Sequence, residues 1–135
     1  MKRLLPLCAL LLCAACVDHL PDQDRRILSG PPAFKTSTDL LLKEYQADKR
    51  AADKKYFGKS VEVTGKVTSV VQDSATPPLI IFLPEPKAPA GVHASLLDDR
   101  APATLAAAVV GQKLTLRCFC EGLATNVILK SCVKP

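Results

Sequence analysis

The segment KSVEVTGKVTSVVQD (59–73) changes the period of the chain. Val61, Val63, Gly65 and Val67 fall on one side of it, and Glu62, Thr64, Lys66 and Thr68 on the other. A two-residue alternation of this kind makes a half-buried β-strand, because successive side chains point to opposite faces. Gly65 interrupts the inward row, which predicts a bend or bulge where the sheet curls. A curled first strand favours a sheet that closes on itself.

Upstream, TSTDLLLKEYQADKRAADKKYFGK (36–59) has a different rhythm. Leu41, Leu42, Tyr45, Ala52 and Tyr56 line one stripe at helical spacing, which predicts an amphipathic helix with that stripe toward the core. Thr36 and Asp39 resemble a capping box, and Gly58 supplies a stop. Downstream, LIIFL (79–83) reads as a buried second strand and VHASLL (92–97) as a short third, joined by the proline-rich segment 84–91. APATLAAAVVG (101–111) reads as a small helix closed by Gly111. KLTLRCFC (113–120) alternates again, with Leu114, Leu116, Cys118 and Cys120 on one face, and NVILKSCV (126–133) completes the set. The order is helix, three strands, helix, two strands. That predicts a mainly β fold: a five-stranded OB-fold Greek-key barrel after an N-terminal helix, with a short helix between strands three and four. An open α+β meander is the alternative.

The N-terminus sets the address. MKRLLPLCALLLCAAC (1–16) puts Lys2 and Arg3 before an apolar run that is too short to span a bilayer, the pattern of an export signal. Ala14 and Ala15 before Cys16 resemble a bacterial lipobox, although Cys13 stands where a leucine is usual. Residues 1–15 are therefore expected to be removed and Cys16 lipidated, with acyl chains holding the protein to the membrane. Residues 16–35 mix charge with Pro21, Gly30, Pro31 and Pro32 and read as a flexible tether, leaving 36–135 as the folded domain. Loss of the signal lowers 18 basic residues to 16 against 13 acidic ones, a net charge of +3. So small an excess does not make the concentrated cationic face expected of a nucleic-acid binder.

Of six cysteines, Cys8 and Cys13 leave with the signal and Cys16 carries the lipid, so Cys118, Cys120 and Cys132 remain in an oxidising compartment. Cys-x-Cys with His93 does not match the spacing of a zinc knuckle, and a strand is the wrong place for a thioredoxin-type centre. One structural disulfide and one spare thiol are expected. Hairpin arithmetic leaves the pairing open: a turn tip near Thr125 puts Cys118 opposite Cys132, a tip near Asn126 puts Cys120 there, and a bulge at Gly122 separates the two registers.

LLKEYQADKRAADKKYFGKSVEVTGKVTSV (41–70) resembles the tRNA_anti-like family, OB-fold domains of bacterial lipoproteins and membrane proteins. The matching succession falls on Glu44, Tyr45, Ala52, Asp53, Tyr56, Gly58, Lys59, Val61, Val63, Gly65 and Val67, and LTLRCFCEG and VILKSC extend it through 38–133. The resemblance implies a Cys120–Cys132 disulfide. It departs at HAS (93–95), where the family often has a cysteine, and at Cys118, where it often has glycine.

Single-strand binders need exposed aromatic platforms and a basic groove. The strands here offer only Phe82 and Phe119. Neither His19 nor His93 has a nucleophile motif beside it, Asp98 and Asp99 read as solvated residues before a helix, and no phosphate loop occurs. The sequence therefore points to a non-catalytic, cofactor-free and metal-free binding module of the cell envelope, facing the periplasm. Lys66, Thr68 and Phe119 are its candidate binding face, and another envelope protein, a peptide or a glycan its partner. Single-stranded nucleic acid or oligosaccharide is the alternative ligand.

Overall fold

The computed structural model describes residues 22–135; the signal segment and Cys16 lie outside the described residues. The strands are β1 (Phe34–Ser37), β2 (Ser60–Lys66), β3 (Ser69–Asp73), β4 (Thr76–Phe82), β5 (Val92–Leu96), β6 (Lys113–Ala124) and β7 (Asn126–Val133). The helices are α1 (Thr38–Ala47), α2 (Lys49–Tyr56) and α3 (Ala101–Ala107). The seven strands form one sheet in the order β1-β2-β6-β7-β5-β4-β3, with β1·β2 and β5·β7 parallel and the other pairs antiparallel.

The expected helices and strands are present, and the architecture is mainly β and OB-like, but the five-stranded closed barrel is corrected on two counts. Segment 59–73 supplies two strands, because its backbone donors change partner midway. The Val67 N–H donates to Gln112 O at 3.0 Å, whereas the next donor, Thr68 N–H, reaches Ile81 O at 2.9 Å. The chain thus leaves the β6 ladder and enters the β4 ladder. The second addition is β1, which pairs with β2 and takes one edge. As a hydrogen-bonded sheet it is open, with β1 and β3 at its ends.

Gly65 is neither a bulge nor a turn, since β2 and β6 stay in register from Ser60–Phe119 to Lys66–Lys113. Its role is clearance. A Cβ there would come within 2.1 Å of Thr38 Oγ1 and 3.0 Å of Phe82, so the glycine lets the start of α1 lie against the sheet. Ser37, not Thr36, caps α1, its Oγ accepting from Leu40 N–H at 3.1 Å. Asp48 ends α1 and caps α2, so the single predicted helix is two. The stripe Leu41, Leu42, Tyr45, Ala52 and Tyr56 is buried as predicted, against Val61, Val63, Leu114, Leu116 and Leu129 among others. In β4, Pro77 and Pro78 precede Leu79, where pairing with β5 begins, so their missing N–H groups remove no bond from that ladder.

Within the segment 16–35 expected to be a tether, residues 22–28 pack on the outside of the sheet, and Phe34 and Lys35 join it in β1. Ile27 is buried with Leu97, Phe119 and Val133 in a second apolar cluster. Polar bonds fix the segment: Asp24 N–H donates to Ser131 Oγ at 2.7 Å, and Gln23 Nε2 donates to Leu96 O at 3.1 Å. The Arg26 guanidinium holds the buried Asp24 carboxyl below the usual carboxylate range, against the opposing effect of burial. Proline, glycine and charge misdirected the reading, because a few apolar anchors suffice when a sheet face is there to receive them.

Candidate binding face

The structure does not bring Lys66, Thr68 and Phe119 together. Lys66 and Thr68 line a groove of about 320 Å³ with Leu83, Pro84, Pro86 and Val110, so part of the proline-rich segment does meet strand residues there. Phe119 lies opposite Ser60, at the far end of the ladder from Lys66. It is 9% exposed, covered by Ile27, with the Arg26 guanidinium 5.7 Å from the ring centroid. Phe119 is an anchor for the N-terminal segment, so the three residues form no common face.

The disulfide joins Cys118 to Cys132, not Cys120 to Cys132, with Cα atoms 4.2 Å apart. The turn tip is Thr125 (φ 61°), flanked by the pair Ala124–Asn126. A register shift next to Gly122 (φ 90°) puts Cys120 opposite Leu129, and a second, at Ser131 (φ 55°), returns Cys132 to Cys118. One bulge was visible in the sequence as a glycine; the other occupies a serine. Cys120 is a buried free thiol, and its Sγ lies 3.4 Å from Tyr45 Oη. Burial pushes the thiol's pKa up, and burial together with the thiol pushes that of Tyr45 up, so both stay protonated. A buried, protonated thiol is a packing group rather than a nucleophile. Among the described residues there is no cluster of His, Cys, Asp or Glu able to hold a metal ion, and no helix long and apolar enough to cross a membrane.

A different surface stands out on the outer side of β3, β4, β5 and β7. One cross-strand row runs Ser69–Ile81–His93–Ile128, and the next runs Val71–Leu79–Ser95. These side chains are half-buried except Val71, which is 45% exposed. Val71, Leu79 and Ser95 border a depression of about 290 Å³ with Pro77 and Lys130. Lys130 is not available as a free cation: Asp22 and Glu121 both pair with it and raise its pKa despite burial. Partial burial lowers the pKa of His93. Phe82, the one Phe, Tyr or Trp on these four strands, is buried, so the half-buried imidazole of His93 is the only aromatic ring that they turn outward. From the sequence His93 has no role, and nothing there singles out Val71, Leu79, Ile81 and Ile128. In an apolar run such as LIIFL both faces carry the same residue type, so periodicity cannot say which side is open.

Together these features define a single OB-like domain, a mainly β sheet with two helices over its inner face. The chain belongs to the tRNA_anti-like family, whose model matches residues 9–133. Its fold is similar to that of a protein from Klebsiella pneumoniae subsp. pneumoniae MGH 78578, provisionally described as a nucleic acid-binding lipoprotein. The identity is 15% and the TM-score 0.57, over 73% of this chain and 87% of that one. No curated protein matches the sequence.

Proposed function

We propose that the protein is an exported, lipid-anchored, non-catalytic module of the cell envelope that binds an extended polypeptide along the outer face of β3, β4 and β5. The observation that carries this reading is the pairing of an apolar face with an open edge. Val71, Leu79 and Ile81 offer apolar contacts, and β3, at the end of the sheet, has backbone groups on one side with no neighbouring strand. An incoming strand gains main-chain hydrogen bonds from such an edge and side-chain pockets from the face beside it.

The lipoprotein description of the Klebsiella neighbour and the export signal support the envelope address. The packing of residues 22–28 adds a geometric consequence. If Cys16 carries the lipid, only residues 17–21 separate it from the folded body, about 20 Å at full extension. The domain would then stay close to the bilayer, and its partner would be met there.

Nucleic acid is the second reading, supported by the name given to the Klebsiella neighbour. The outer face argues against it, because its one aromatic ring is the half-buried His93 and its Lys130 is already paired with Asp22 and Glu121. Photo-crosslinkers placed at Val71 and Leu79 in intact cells are expected to yield polypeptide adducts, with none from Gln46 on α1. Salt-dependent binding of single-stranded oligonucleotides to the purified domain, without polypeptide adducts at those positions, would overturn the proposal.

A further inference from the structure

Away from that face, three cations converge on a depression of about 520 Å³. Arg100 comes from the 3-10 turn Asp98–Arg100 ahead of α3, Arg117 from β6, and Lys134 from the end of β7. Among the described residues no Asp or Glu side chain lines the depression; Pro135 lines it too, but its carboxylate pairs with none of the three cations, and none of them is otherwise ion-paired. The nearby carboxylates have other partners. Asp99 is held mainly by Arg25, with a weaker pull from the adjacent Arg100 charge, and Glu62, the cross-strand neighbour of Arg117, is 3.7 Å from Lys35.

The arrangement is built rather than incidental. Thr104 Oγ1 donates to Arg100 O at 3.1 Å and accepts from Lys134 N–H at 3.3 Å, fixing the backbone of two cation-bearing segments to α3. Arg117 makes one hydrogen bond, from Nη1 to Gly30 O at 3.2 Å, while its Nε is buried with no acceptor. A guanidinium with spare donors beside two other unpaired cations is a receptor for an oxyanion, because its planar fork matches two oxygens at once. Leu28 and Val133 add an apolar wall next to the charge.

We infer that Arg100, Arg117 and Lys134 form an anion site for a phosphate-type group, supplied by free phosphate or by the headgroup of an anionic phospholipid. The site shares no residue with the proposed polypeptide face and does not depend on that reading. Its test uses the purified protein carrying Cys16→Ser, so that no acyl chain takes it to a bilayer. Inorganic phosphate is titrated while the arginine Nε–Hε resonances are followed. Flotation is measured with phosphatidylglycerol-containing vesicles and with pure phosphatidylcholine vesicles.

The Arg117 resonance is expected to shift saturably with phosphate, with the anionic vesicles, or with both. Phosphate alone identifies a free oxyanion, and vesicles alone a headgroup. Binding should fall at least tenfold in the Arg100→Gln/Lys134→Gln variant, whose replaced side chains are exposed and whose fold is checked by an unchanged amide spectrum away from the site. Lys43→Gln/Lys54→Gln, on the exposed sides of α1 and α2, should bind as the parent does. An unmoved Arg117 resonance, no binding of either probe, or an equal loss in both variants would overturn the inference.

Discussion

Tyr45 Oη lies 3.4 Å from Cys120 Sγ, so the cysteine left outside the disulfide is engaged by helix α1. The contact links the first helix to the hairpin strand that also carries the bridged Cys118. Tyr45→Phe is expected to cost about 1 kcal/mol, the usual net value of one buried hydrogen bond. Cys120→Ala is expected to cost about 1–2 kcal/mol through the small void it leaves. Urea unfolding of both and of the double variant should show coupling, since the pair is in contact. Strict additivity would mean that the contact contributes nothing.

The disulfide assignment has a direct chemical check. Trypsin cuts after Arg117 and Lys130, leaving Cys118 and Cys120 in one peptide joined to the peptide holding Cys132. Fragmentation between Cys118 and Cys120 is therefore needed, and it should place the bridge on Cys118. Cys118→Ala/Cys132→Ala is expected to lose about 3 kcal/mol, appropriate to a loop of this length. Cys120 should be alkylated only after denaturation.

Gly65→Ala should destabilise through crowding, without any strain in the backbone. The added methyl meets Thr38 at 2.1 Å and Phe82 at 3.0 Å, so α1 must shift or Thr38 must rotate. A loss of about 1–3 kcal/mol is expected. Thr38→Ala in the same chain should recover part of it by clearing the space. Failure of that rescue would place the cost elsewhere.

Ile27→Ala separates a docked segment from a free tether. Ile27 is 1% exposed and covers Phe119, so its truncation should cost about 2–4 kcal/mol. Proteolysis between residues 22 and 35 should speed up in the variant. An unstructured tether would show neither effect.

His93 should give the protein a pH dependence on the acid side of neutrality. Burial lowers its pKa in the fold, so the unfolded chain binds the proton more readily. Its contribution to stability is complete above the unfolded pKa of about 6.5 and is lost as pH falls through the depressed folded value. Urea midpoints taken from pH 7.5 to pH 5 should therefore decline in the parent. His93→Gln should flatten the part of the curve below pH 6.5. An unchanged slope would show that the imidazole is as well solvated in the fold as outside it.

The core was largely legible in the sequence, and the surface was not. The helical stripe from Leu41 to Tyr56 and the alternating Leu114, Leu116, Cys118 and Cys120 are buried as predicted, because burial of a periodic face is a local consequence of the pattern. Lys66 and Thr68 do share a groove even though the chain changes ladder between them, since residues two apart stay close in any fold. Phe119 failed as an exposed residue because its outward face is covered by a segment 92 positions earlier in the chain, where Ile27 gives no sign of its destination.

By itself the sequence determined where the main helical and strand segments lie, the inward side of the alternating segments and the family, all properties carried by neighbours along the chain. Tertiary structure alone decided that 59–73 serves two ladders, that Cys132 meets Cys118, and that Arg100, Arg117 and Lys134 share one depression. Each of these depends on which distant backbone groups accept a hydrogen bond and on where two compensating bulges fall. Such choices are made between segments far apart in the chain, so no local spacing records them.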